Sequence, residues 1–557
     1  MKRTHGRWVD FLLTMLVLGA ATRTVHADGQ RFRAEDPLAS ERDASDASTV
    51  RPLETSSAIA GLQAVRNQSN GSHPAMNLNT ISEVRNSGWF TNRIGHEPLS
   101  LPDLARGPNR SVPPSGPWTV LSGKTDGVTP GLRLKDAAGR TFFVKFDPPG
   151  HPEMASGAEV VSTKLLFALG YWVPENYIAT MRRGDLSLAP QATFKGPDGR
   201  KRPMTTADID EVLKHAARSA DGGFRMVASL SVEGQPIGPF RYSGTRLDDR
   251  NDIVPHEDRR ELRALRVFAA WLNHVDTKSQ NSLDTLVSDG VRKVVRHYLL
   301  DFGSTLGSAG TEPKDWRDGF EYAYEGRTSL LALVTLGTHT PSWRRIRYPR
   351  FPAVGRIESQ HFVPEQWKPT LPNPAFQNLD ADDAFWAAQR VMAFSDDAIR
   401  AIVATAEFSD PAATTYLGDV MISRRDAIGR AWLTGVNPVV DPFVDASGQL
   451  VFRNVAQETG LTTDRATYRV RWSRFDNVSQ IATPLGPWRG IPDRRVDLPI
   501  GVPASVEYLM VEIAAIHFKH PAWLHPVKAY FRRDGSQTWT LVGFERPGNQ
   551  ELVAKPT

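Results

Sequence analysis

The run His274-Val275-Asp276-Thr277-Lys278-Ser279-Gln280-Asn281 sets a carboxylate, an ammonium two residues on and a carboxamide five residues on within one short loop. A second carboxylate, Asp301, follows past one hairpin in Tyr298-Leu299-Leu300-Asp301-Phe302-Gly303. Side chains of these types can accept a proton from a hydroxyl, compensate negative charge and offer oxygen donors to a hard cation. Taken singly, Asp276 and Asn281 read as turn or cap residues and Asp301 as a strand-end turn.

Taken together, the two runs resemble the protein-kinase catalytic loop, with Asp followed by Lys two residues on and Asn five residues on, and then the Asp-Phe-Gly metal motif. At about one in twenty per letter, the four matched letters of the first run arise by chance in about one chain in three hundred of this size. The second run, in the correct order, makes coincidence rarer still. The resemblance implies that Asp276 orients the acceptor hydroxyl and receives its proton, and that Lys278 neutralises charge on the transferred phosphoryl group. Asn281 and Asp301 would hold Mg2+ (or Mn2+) through oxygen ligands. Upstream, Phe143-Val144-Lys145 resembles the kinase strand whose lysine contacts ATP phosphates, and Glu159 in Gly157-Ala158-Glu159-Val160 is its expected partner. Glu153 is the rival acid, and for either glutamate the alternative is a solvated helix face. Gly123 and Gly127, in Ser122-Gly123-Lys124-Thr125-Asp126-Gly127, would approach the nucleotide. The stretch Gly157 to Pro174 is similar to the corresponding part of HipA-type and other atypical kinases, and with its export signal the chain resembles a secretory-kinase-like member of that superfamily.

Departures from the pattern bear on the substrate. The 122–127 loop lacks the glycine triplet, Val275 replaces the arginine that in many kinases reads a phosphorylated loop, and no Ala-Pro-Glu follows Gly303. An ordinary peptide substrate is therefore not required. Gly123-Lys124-Thr125 is a poor Walker loop, since Trp118 occupies the earlier glycine position and a strand follows instead of a helix. His256, His274 and His297 lack ligand spacing for zinc.

Positioning these side chains requires a sheet, a helix and a helical base. Short β-like runs at Trp118 to Leu121, Leu132 to Leu134 and Phe142 to Phe146, separated by glycine turns, predict an antiparallel three-stranded sheet. The spacing of Val160, Thr163, Leu166, Phe167 and Leu169 predicts a helix over Ala155 to Leu169, stopped by Gly170. Strands follow at Asn176 to Thr180 and Arg225 to Val232. Helices then dominate, at Arg259 to Leu272, Phe320 to Leu336, Asp382 to Ala393 and Asp396 to Ala406. After Pro438, alternating runs such as Tyr468 to Trp472 and Tyr508 to Ile516 resemble an immunoglobulin-like or fibronectin-like β-sandwich.

The expected fold class is thus α+β, a bilobal kinase-like domain followed by an all-β sandwich. Its 557 residues divide into a signal peptide (1–27), a disordered leader (28–75), an N-terminal extension (76–116), an N-lobe (117–232), a helical C-lobe (233–437) and the sandwich (438–557). The signal rests on Lys2, Arg3 and Arg7 before an apolar run from Phe11 to Ala21, too short to span a bilayer. Export to a periplasm or the outside, with no transmembrane span after cleavage, follows. Zero cysteines exclude disulfides and thiolate metal sites. A net charge of +5 from 67 basic and 62 acidic residues does not mark a nucleic-acid binder. The expected function is transfer of the γ-phosphoryl group of ATP to a hydroxyl on an unidentified protein or small-molecule acceptor. A kinase-fold adenylyltransferase and a non-catalytic pseudokinase-like binding protein are the alternatives.

Overall fold

The computed structural model describes residues 29–53, 73–123, 129–196, 200–323, 341–535 and 538–546. The expected export signal, Gly127 and most of the expected helix Phe320 to Leu336 lie outside them, and residues 320–323 carry no helix.

Alternating apolar residues build β1 (Trp118–Gly123), β2 (Gly131–Lys135) and β3 (Thr141–Phe146) into an antiparallel meander. Phe142, Val144 and Phe146 share a core with Ile209 and Leu213 of helix Thr206–Lys214. Successive strand side chains alternate in face, so Lys145 points to the other side, where helix Met154–Leu169 packs.

With β4 (Asn176–Met181), β5 (Leu186–Lys195), β6 (Lys201–Pro203) and β7 (Phe224–Leu230), the meander forms a seven-stranded sheet of order β4-β7-β3-β2-β1-β5-β6. Strand β5 runs parallel to β1. Pro190 reads as a strand breaker, but it falls where the register jumps between the Val120–Leu188 and Ser122–Thr193 pairs.

A second, three-stranded sheet joins β8 (Gln235–Pro236), β9 (Ser282–Asp289) and β10 (Arg292–Leu299) in the order β10-β9-β8. Beneath it lies a helical body. Every residue of helix Arg260–Leu272 is buried, and Leu265, Phe268 and Trp271 share one core with helices Ala381–Met392, Asp396–Ala404 and Pro411–Trp432 and with the Glu159 helix. Arg260 and Arg263, also buried, are paired to Asp383 at 2.8 and 3.3 Å, so this core holds its cations compensated.

Beyond it come β11 (Val439–Val444), β12 (Gln449–Asn454), β13 (Thr467–Phe475), β14 (Ala482–Pro484), β15 (Arg489–Ile491), β16 (Arg495–Asp497), β17 (Tyr508–Ile516), β18 (Val527–Arg533) and β19 (Trp539–Glu545). They form two sheets, β11-β12-β16 and β14-β13-β17-β18-β19, with β15 against β13. Leu450 and Phe452 of the first meet Val470, Val511 and Phe531 of the second in a common core.

Residues 29–53 correct the expectation of a disordered leader. Phe32 is buried among Phe475, Tyr508 and Tyr530. Further along, Ala47 and Val50 pack on Ile237, Leu286 and Val295, and Leu53 N–H donates to the Ile237 carbonyl at 2.9 Å. The segment is a strap from the C-terminal sheets to the β8–β10 sheet. Among the described residues no helix is long and apolar enough to cross a membrane.

Candidate active site

Helix Arg260–Leu272 ends at Asn273, a left-handed residue (φ 50°) whose N–H returns to the Ala269 and Ala270 carbonyls. Asparagine tolerates that conformation, and the cap turns the chain into the loop 274–281. Two bonds from the following chain fix this loop, Thr370 N–H to the Val275 carbonyl at 2.9 Å and Asn373 Nδ2 to the Thr277 carbonyl at 3.1 Å. The β9–β10 hairpin then brings the next two groups together. Ser282 pairs with Leu299, and Leu300 N–H donates to the Asn281 carbonyl at 2.9 Å, so Asn281 and Asp301 stand at one open hairpin end.

Within the loop, Asn281 Nδ2 donates to the Asp276 carbonyl at 2.8 Å and to Asp276 Oδ2 at 3.0 Å. Lys278 Nζ lies 3.0 Å from Asp276 Oδ1. The side chains of Asp276 and Lys278 are 33% and 44% exposed, open to a substrate. Because Nδ2 is committed to Asp276, the Asn281 amide turns its carbonyl oxygen away from that network. Together with the Asp301 carboxylate it supplies the oxygen donors that a hard divalent cation takes, so these residues fit such an ion.

Lys145 joins the strand to this loop end. Its Nζ donates to Glu159 Oε2 at 2.8 Å and to Asp301 Oδ1 at 2.7 Å. The rival Glu153 instead accepts from Ser409 N–H at 2.8 Å at the start of the helix. Glu159, whose side chain is 1% exposed, also accepts from Phe302 N–H at 3.0 Å and Gly303 N–H at 2.8 Å. Burial pulls the Lys145 ammonium down, but Glu159 and Asp301 overcome it and hold the group above the ordinary lysine value. Lys145 is therefore a permanent cation.

The same bonds restrain the backbone. Asp301 has φ 65°, a left-handed conformation that costs a non-glycine residue of order 1–3 kcal/mol. Lys145 holds its carboxylate and Glu159 holds the next two amides. At Gly303 an added Cβ would lie 3.2 Å from Glu159 Oε2, so a side chain there would crowd the acid. His274 is buried with its ring edge-on to Phe302 at 5.9 Å, and burial pushes its pKa down. It packs as a neutral ring.

Of the residues singled out in the sequence, Lys145, Glu159 and Asp301 meet directly, as do Asp276, Lys278 and Asn281. Gly123 closes β1, paired with Leu132, and its added Cβ would meet the Phe194 ring at 2.6 Å. Packing under β5 thus accounts for this glycine without any phosphate. Sequence reading passed over Asn176, which donates to Thr163 Oγ1 at 2.7 Å and to Glu159 Oε1 at 3.5 Å.

Because Lys145 and Glu159 are bonded directly, a nucleotide held at Lys145 should depend on both: if Mg-ATP raises the melting temperature, either Lys145→Met or Glu159→Gln should remove most of that rise. The double variant should lose little more, a coupling of about 1–3 kcal/mol. Thermal-shift titration of the four proteins measures it, and additive losses would show that the pair does not work as a unit.

No protein-family model matches the sequence, and no curated protein does. Among solved structures, a Helicobacter pylori proinflammatory kinase, CtkA, is 13% identical with a TM-score of 0.29, over 55% of this chain and 93% of that one. The Golgi casein kinase is 10% identical with a TM-score of 0.26, over 70% of this chain and 95% of that one. The same kinase with Mn/ADP bound is 11% identical with a TM-score of 0.26, over 72% and 97%. Identities and superpositions this low define neither a family nor an activity.

Proposed function

We propose that this chain is a protein-kinase-like phosphotransferase that moves the γ-phosphoryl group of ATP to a hydroxyl acceptor with Mg2+ or Mn2+. One observation carries the reading: Lys145 is ion-paired at once to Glu159 of the helix and to Asp301 at the hairpin end, 2.8 and 2.7 Å away. A lysine presented by a strand and held by a buried glutamate beside a metal-type aspartate is the arrangement that phosphoryl transfer needs, because that reaction depends on positioning and charge compensation.

In this reading Lys145 binds the nucleotide phosphates, exchanging Asp301 for phosphate oxygen. Asn281 and Asp301 hold the divalent ion, whose charge would offset that on the phosphates when bound. Two protein oxygen ligands suffice, since Mg2+ sites are commonly completed by substrate phosphates and water. Asp276 orients the acceptor hydroxyl and takes its proton as the acceptor oxygen bonds to the γ-phosphorus and the bond to the β-phosphate oxygen breaks. Lys278, whose side chain is 44% exposed, turns from Asp276 to the transferring group. The proposal extends to a bilobal kinase-like domain, to export into a periplasm or the outside, and to an immunoglobulin- or fibronectin-like sandwich after residue 437. The acceptor is a protein or a small molecule.

Incubation with ATP labelled separately on the α and γ phosphates tests the reading. Incorporation of the γ label supports phosphoryl transfer, incorporation of the α label would make the protein an adenylyltransferase, and no incorporation would leave a binding protein. ATP should also raise the melting temperature by a few degrees only when Mg2+ is present, as a ligand of the native state does. Asp301→Ala should abolish that shift, and an unchanged shift would remove Asp301 from metal binding.

A further inference from the structure

The left-handed backbone at Asp301, with φ 65°, is held by two kinds of bond. Lys145 Nζ grips the carboxylate at 2.7 Å, and a second set of bonds grips the chain that follows. When Lys145 turns to the phosphates of a nucleotide, as the phosphotransfer reading requires, the first grip is released. The second must then keep Asp301 in place.

That second grip comes from one face of one helix. Glu159 and Ser162 stand three residues apart on helix Met154–Leu169, a spacing that sets side chains next to one another. Glu159 accepts from Phe302 N–H at 3.0 Å. The Phe302 carbonyl accepts from Thr305, from its N–H at 3.2 Å and its hydroxyl at 2.7 Å, and Thr305 Oγ1 lies 2.6 Å from Ser162 Oγ. Thr305 has one hydroxyl proton to give. The Phe302 carbonyl at 2.7 Å is a better acceptor for it than the Ala158 carbonyl at 3.4 Å, so Ser162 is the donor of the hydroxyl pair. The relay from Ser162 through Thr305 thus clamps the residue after Asp301 at its carbonyl, while Glu159 clamps it at its N–H. Leu306 N–H, donating to the Leu272 carbonyl at 2.8 Å, ties the far end of the turn to the helix that leads into the Asp276 loop.

Packing alone does not ask for these hydroxyls. Ser162 and Thr305 are fully buried, and alanine and valine would occupy the same positions without the cost of taking two hydroxyls out of water. The neighbouring Thr163 provides the contrast. Its hydroxyl donates to the Glu159 carbonyl at 2.7 Å, inside its own helix, the local bond that a helical threonine ordinarily makes, whereas Ser162 reaches across to the Asp301 turn. The relay joins uncharged groups, so an exchange of partners at Lys145 leaves it intact. We infer that Thr305, oriented by Ser162, is a positioning residue for the divalent cation, keeping Asp301 aimed at the ion after Lys145 has moved to the nucleotide. The inference rests on the phosphotransfer reading of this site.

The experiment compares wild type, Thr305→Val, Thr305→Ser and the double variant Ser162→Ala/Thr305→Val by two measurements. One is the melting temperature without ligand, and the other is the Mg2+ concentration that gives half of the rise in melting temperature caused by ATP. Loss of a group that orients a metal ligand costs about 10- to 100-fold in metal affinity, so Thr305→Val should raise that Mg2+ requirement about 10-fold or more. It should also melt lower, because the Ser162 hydroxyl is left buried without its acceptor. Thr305→Ser keeps the hydroxyl and should bring the Mg2+ requirement back to near that of wild type. The double variant removes both hydroxyls together and should regain most of the lost melting temperature, yet keep the raised Mg2+ requirement. A wild-type requirement in Thr305→Val, or one that recovers in the double variant along with the melting temperature, would overturn the inference alone. A Thr305→Ser protein as impaired as Thr305→Val would do the same. Should Thr305→Val not fold, the double variant decides, and an unchanged Mg2+ requirement there sinks the inference. If wild type itself shows no Mg2+-dependent rise with ATP, the phosphotransfer reading falls, and this inference with it.

Discussion

Asp276→Asn should lower turnover of γ-labelled ATP about 10²- to 10⁴-fold, the range that a positioned general base supplies, and leave Mg-dependent ATP binding nearly unchanged. The substitution keeps the side chain's shape and an oxygen that can accept from Asn281 Nδ2, now 3.0 Å from Oδ2. The loop should also stay in place, because its other anchors, from Thr370 and Asn373, hold the carbonyls of Val275 and Thr277 and not the Asp276 carboxylate. What the amide cannot do is take up the acceptor's proton or hold Lys278 as an ion partner. The loss should therefore fall on kcat in single-turnover measurements, with KM for ATP little moved. Lys278→Ala removes one cation and no base, and its loss should be smaller. An Asp276→Asn enzyme that turns over at the wild-type rate would mean that Asp276 has no proton-transfer role.

The local parts of this site were legible because they are spelled by short spacings. The interval from Asp276 to Asn281, the alternation that turns Lys145 away from Phe142 and Val144, and the helical phase of Glu159 are each settled within a few residues. The long-range bonds were not. The pairing of Lys145 with Glu159, and not with the rival Glu153, was the expected one, but the further bonds of Glu159 to the amides of Phe302 and Gly303 join positions more than a hundred residues apart. Residues 29–53 were misread for a related reason. Phe32, Ala47 and Val50 are isolated apolar residues in a polar stretch, and composition averaged over that stretch hides single anchors whose partners, such as Tyr530 and Val295, come from distant elements. Strand β5 was not expected from the sequence, and its Pro190 falls where the pairing with β1 jumps register. Gly123 carries no sign of whether a glycine serves a ligand or a neighbouring ring.

Removal of the chain from Pro438 onward should cost the protein its fold. Val440 and Val455 lie in the same core as the helical body. Trp523, fully buried, donates from Nε1 to the Thr434 carbonyl at 2.8 Å. Arg546 stacks 4.0 Å from the Phe385 ring and lies 3.2 Å from Asp382, so truncation would uncover both. It would also strip Phe32 of every aromatic partner and release the strap that reaches Ile237 and Leu286. Loss of a single large buried aromatic side chain costs about 3–5 kcal/mol, and a domain's whole stability is about 5–15 kcal/mol. Several such losses together exceed what the fold can absorb, so a chain ending at Asn437 should aggregate or melt far below the intact protein. Phe32→Ala and Arg546→Ala, each in the full chain, provide graded versions that should lower the melting temperature while leaving Mg-dependent ATP binding measurable. A truncated chain that stays soluble and still binds Mg-ATP would show instead that the C-terminal sheets are a detachable module whose contacts with the helical body are incidental.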